Sequence, residues 1–67
     1  MEGYKERLIV ERDLLTERVE KLKAKLEEKG FKEKIGEEKT FLLNLQYCVM
    51  IQYEYILNKR LELEGIK

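Results

Sequence analysis

Gln46, Met50, Tyr53, Leu57 and Arg60 follow one another at intervals of four, three, four and three residues, which is a single stripe of a helix. A stripe built only for stability would carry Leu or Ile throughout, because a polar residue there lowers stability and usually fixes register or oligomer state. Here alternate positions hold an amide, a phenol and a guanidinium. Those groups can respectively read a base edge, stack on a base and neutralise a phosphate. The same groups also suit the polar rim of a helical interface, satisfied by one another or by glutamates of a neighbouring subunit, and spacing alone leaves both readings open. Arg12 is a second place of interest: it stands between Leu8 and Leu15 where the periodicity asks for an apolar residue. A guanidinium there either pairs with Glu54 or waits for an anion.

Other chemistries find little material. The chain has no histidine, no serine and no glycine-rich phosphate loop, and Cys48 is its only cysteine. Zinc sites, iron–sulfur clusters and an internal disulfide are thereby excluded by count. Cys48 reads as a small core residue with no base in sequence reach, so neither an enzyme nor a cofactor or metal protein is expected. Tyr4, Tyr47 and Tyr55 read first as packing residues, and Lys29, Lys32 and Lys34 as a solvated turn. Fourteen basic and fourteen acidic residues balance to zero, which gives no long-range pull on duplex nucleic acid or anionic membranes. Any bound anion must be met by a local cluster.

The elements that position these residues are two helices. A composition 42% charged and free of proline, with a high apolar fraction, belongs to long helices rather than to disordered tails. Leu8, Leu15 and Leu22 lie seven apart, with Val19 and Leu26 four residues after a leucine, so helix 1 spans about residues 3–29 with a heptad seam. Gly30 is placed to end it in the left-handed conformation, Phe31 folding back on Leu26. Residues 30–36 read as a loop, with Gly36 as N-cap of helix 2, about residues 37–64, whose first turn holds Glu37 and Glu38. Gly65 and Ile66 repeat the ending of the first helix. The expected architecture is all-α: one domain over residues 1–67, an antiparallel two-helix hairpin in which facing numbers sum to about 66. In that register Val19 lies near Cys48, and Arg12 near Glu54 and Tyr55. Leu45, Val49, Ile56 and Leu63 are assigned to packing on helix 1.

From Phe41 to Leu57 every residue is apolar except Asn44, Gln46, Gln52 and Glu54. A helix apolar on most faces must be covered on most faces, and 67 residues have too little else to cover it. Self-association into a symmetric homo-oligomer is the expected answer. The run is shorter than the ~20 residues that span a bilayer and carries a glutamate and three amides, so no membrane partner is expected. With no signal-like segment and a free thiol, the cytoplasm is the expected compartment.

At the sequences YKERLIVERDLLTERVEKLKAKL and LLNLQYCVMIQYEYILNKRLEL the chain resembles the phage helical-hairpin family that includes the anti-CBASS and anti-Thoeris sponge proteins. The resemblance covers nearly the whole chain. It is carried by Arg7, Leu8, Glu11, Leu15, Arg18, Lys21, Leu22 and Leu26 in the first helix and by the Gln46, Met50, Tyr53, Leu57 and Arg60 series in the second. The resemblance implies a non-enzymatic immune-evasion role: hairpins assembled as homo-oligomers, hexamers favoured over trimers or dimers, sequester cyclic oligonucleotides or cyclic ADP-ribose isomers without cleaving them. On that reading Arg60 and Arg18 meet phosphates, Tyr53 and Tyr4 stack on bases and Gln46 reads a base edge, with Arg12 as a further cation. The cytoplasm would then be that of the phage's host. Two alternatives stand beside it: a structural coiled-coil assembly module, and a helical bundle that grips RNA.

Overall fold

The computed structural model describes residues 2–66 and gives three helices: α1 over Glu2–Leu26, α2 over Phe31–Ile35 and α3 over Glu37–Leu63. α1 and α3 pack antiparallel along their length into a rod with principal extents of 48 × 16 × 14 Å. α2 fills the connection that the sequence reading treats as loop. It is a single turn held between two glycines, Gly30 at φ 81° and Gly36 at φ 96°, conformations that side chains with a Cβ avoid. Helix α1 ends at Leu26, earlier than expected, where Glu28 N–H turns back to the Lys25 carbonyl in a tighter 3₁₀-type bond. At the far end Ile66 N–H bonds the Leu61 carbonyl at 2.8 Å and Gly65 N–H bonds Glu62 at 3.0 Å, a Schellman closure that seats Ile66 against the core.

The core is a narrow seam. Leu8, Leu15 and Val19 of α1 meet Leu57 and Leu61 of α3, flanked by Ile9, Tyr47, Met50 and Ile66. On α3 the inward positions are Leu43, Tyr47, Met50, Glu54, Leu57 and Leu61, spaced four, three, four, three and four. This corrects the assignment of the packing stripe. Leu45, Val49, Ile56 and Leu63, expected to pack on helix 1, are exposed, Val49 at 64% and Leu63 at 88%, whereas Leu57 is wholly buried. The physical cause lies in α1, whose seam carries Arg12 and Thr16 among its leucines. Those polar groups need polar partners on the facing helix. Arg12 Nη1 donates to Asn58 Oδ1 at 2.8 Å, and Thr16 Oγ1 donates to Glu54 Oε2 at 2.6 Å. The face of α3 that holds Asn58 and Glu54 therefore turns inward, and the purely aliphatic face turns out. The anticipated Arg12–Glu54 pair does not form, because Glu54 takes Thr16 instead. Cys48, expected in the core near Val19, is exposed on the far side of α3.

A candidate ligand-binding edge

Along a hairpin the two helices meet at two edges, and the residues flanking the seam line them. One edge carries Arg12, Asn58, Thr16 and Glu54. The other carries the groups of interest. Tyr4 and Arg60 meet there, Arg60 Nη2 donating to the Tyr4 hydroxyl at 3.1 Å. One heptad along, the Tyr53 hydroxyl donates to Glu11 Oε2. Both pairs have residue numbers that sum to 64. The same register sets Arg18 opposite Gln46, another heptad on. The result is a ladder of three rungs about 10 Å apart, from ~1.5 Å of rise per residue.

Each rung offers different chemistry. At the first, a guanidinium with most of its five donors free lies beside a phenol ring. Arg60 is held even more firmly protonated than a free arginine, first by the hydrogen bond to the Tyr4 hydroxyl, with smaller help from the charges of Glu11 and Glu64. At the second, the Tyr53 ring is anchored by a carboxylate, and its exposure, like that of Tyr4, is about 40%. At the third, Arg18 is exposed, with neither hydrogen bond nor ion pair to the described residues, and Gln46 makes only a long 3.7 Å contact to the Met50 sulfur. Arg7, whose guanidinium folds over Gly3, adds a cation at the outer side of the first two rungs, where a shallow groove is lined by Gly3, Glu6, Arg7, Val10 and Glu11.

Of the six candidate residues, Tyr4, Arg18, Gln46, Tyr53 and Arg60 thus share one edge. Arg12 does not join them. It is about four-fifths buried, with Nε on Asp13 at 2.8 Å and Nη1 on Asn58 at 2.8 Å, so its guanidinium is engaged at the opposite edge. Met50 and Leu57, which share the stripe in the sequence, turn into the seam. Glu11 is the participant that residue types alone did not single out. Its signal is the spacing Tyr4, Glu11, Arg18, a heptad series on α1 that mirrors Gln46, Tyr53, Arg60 on α3.

The edge is bordered by apolar surface on both helices: Val10 and Leu14 on α1, and Leu42, Leu45, Val49, Ile56 and Leu63 on α3, all exposed. Among the described residues no cluster of acidic or thiol groups could hold a metal ion, and no helix is long and apolar enough to cross a membrane. Comparison with curated proteins and with solved structures returned no match. A protein-family model, by contrast, matches residues 2–63, both helices of the hairpin and every rung of the ladder. The chain belongs to the Sequestin family.

Proposed function

We propose that this protein captures a cyclic nucleotide signal, a cyclic oligonucleotide or a cyclic ADP-ribose isomer, and holds it without turnover, as a phage immune-evasion protein acting in the host cytoplasm. The observation that carries this is the ladder: guanidinium, phenol and amide groups converge on one edge of a hairpin with no net charge. The family name, which denotes sequestration, points the same way. Cations at rungs one and three can meet phosphates, and the phenol rings of Tyr4 and Tyr53 can stack on bases.

One hairpin gives an open edge, and assembly would enclose it. The exposed aliphatic residues beside the ladder, covered by further copies of the chain, would bring several ladders around a symmetry axis and exclude water from them. A symmetric cyclic ligand suits a site of that kind. The aliphatic row would equally serve a pure assembly module, and ligand binding separates the two readings.

Thermal unfolding with and without a panel of cyclic di- and trinucleotides and cyclic ADP-ribose isomers is the test. A ligand at ~100 times its dissociation constant stabilises the folded state by ~2.7 kcal/mol, several degrees for a domain this small. The expected result is a shift with one ligand class and recovery of the ligand unchanged. No shift with any member of the panel would favour the assembly module.

A further inference from the structure

The side of α3 turned away from the ladder carries a second stripe that the proposed ligand site does not use. At 100° per residue, Glu37, Phe41, Asn44, Cys48, Ile51, Gln52, Tyr55 and Lys59 fall within one band of the helix, and all are exposed. Phe41 and Tyr55 are each about three-fifths exposed, large rings with no cover in the hairpin. A shallow groove lined by Ile51, Gln52, Tyr55 and Ile56 opens on the band.

The order of residues along this band is nearly the same read in either direction from Cys48. Seven residues to either side stand two aromatic rings, Phe41 and Tyr55; four to either side, two amides, Asn44 and Gln52. Three to either side stand two aliphatics, Ile51 on the band and Leu45 where the band meets the aliphatic row. Eleven to either side stand opposite charges, Glu37 and Lys59. When two copies of a helix pack antiparallel about a two-fold axis, residues equidistant from the axis face each other. An axis at Cys48 therefore sets ring on ring, amide on amide, aliphatic on aliphatic and carboxylate on ammonium, twice over. Lys59 already lies over the Tyr55 ring at 5.5 Å and reaches Glu62 at only 3.4 Å, so its charge stands on this face.

We infer that this band is a self-complementary interface: α3 of one chain packs antiparallel on α3 of a second copy about a two-fold axis through Cys48. The occupant is set by the pairing of unlike charges and like side chains, which a heterologous partner would have to match by chance. The inference rests on the reading that the chain self-associates, and it locates one contact of that assembly on the face opposite the ligand edge. The partner's Phe41 would lie over the groove beside Tyr55.

The test uses the whole protein and two variants, Lys59→Glu and Glu37→Lys. Cys48 is treated with a short bis-maleimide and the products are resolved by mass, while native mass spectrometry reads the assembly state. The wild type is expected to cross-link through Cys48 to a dimer far faster when folded than in urea. Each single variant turns two attractions into two repulsions and weakens the pairing about tenfold, by the scale of exposed ion pairs. An equimolar mixture of the two variants restores the complementarity, and the cross-linked product is expected to be the mixed dimer. Cross-linking no faster than in urea, or a mixture no better than its components, overturns the interface. If the wild type is still oligomeric in that case, assembly runs through the aliphatic row and the self-association reading stands. A monomeric wild type overturns both.

Discussion

Arg60 and Tyr53 occupy equivalent places on successive rungs, yet their partners differ in sign: a neutral phenol for Arg60, a carboxylate for Tyr53. On the proposed function, an arriving phosphate would gain from the first and be repelled by Glu11 at the second. Arg60→Ala should therefore weaken ligand binding at least tenfold, by the ~1.5–3 kcal/mol of a hydrogen bond to a charged group, with the assembly intact by native mass. Tyr53→Phe keeps the ring and should lose less affinity than Tyr53→Ala, by calorimetric titration, if stacking is the larger contribution. The half-buried polar pairs of the other edge carry a different expectation. Arg12→Ala leaves Asn58 without its donor and should lower stability by about 1–3 kcal/mol in chemical denaturation while leaving affinity per folded site unchanged. Residue types alone put Arg12 among the ligand candidates because a guanidinium on a seam looks unpaired. Only the register shows Asn58 opposite it.

The helices themselves were legible from heptad spacing and glycine placement. Leu8, Leu15, Val19 and the closure of Gly65 and Ile66 on Leu61 all follow from one-dimensional pattern and local chemistry. What one dimension could not decide was which face of α3 turns inward, since it is apolar on several faces and its most aliphatic stripe is not the one that packs on α1. The choice is made by partners on α1: Arg12 and Thr16 require Asn58 and Glu54, and that requirement outweighs burying the most aliphatic stripe. The short helix α2 carries no periodicity to mark it, since it is bounded by two glycine conformations. Gly36→Ala tests this: a Cβ there meets no atom within 4 Å, so the only cost is backbone strain at φ 96°. A loss of about 1–3 kcal/mol in unfolding free energy, without change in the ligand edge, is the expected outcome.

At the scale of the molecule, five buried side chains among the described residues make a small core, and the exposed face of α3 rivals it in apolar residues. A domain of this size is marginal on its own, so its melting temperature should rise with protein concentration as copies cover that face. Val49→Glu, placed in the middle of the aliphatic row, should lower the native mass and weaken the concentration dependence, leaving what the Cys48 face contributes. Capacity to hold ligand would then climb more steeply than in proportion to expression, since an unassembled hairpin offers only an open edge. The hydrogen bond between the Tyr53 hydroxyl and Glu11 has one further consequence. A carboxylate accepting from a phenol drains that ring's excited state, and with four tyrosines and no tryptophan in the chain the ultraviolet glow of the protein comes chiefly from tyrosine. If the proposed ligand stacks on Tyr53 and pulls it from Glu11, that glow should change, which would make ultraviolet emission an optical gauge of occupancy.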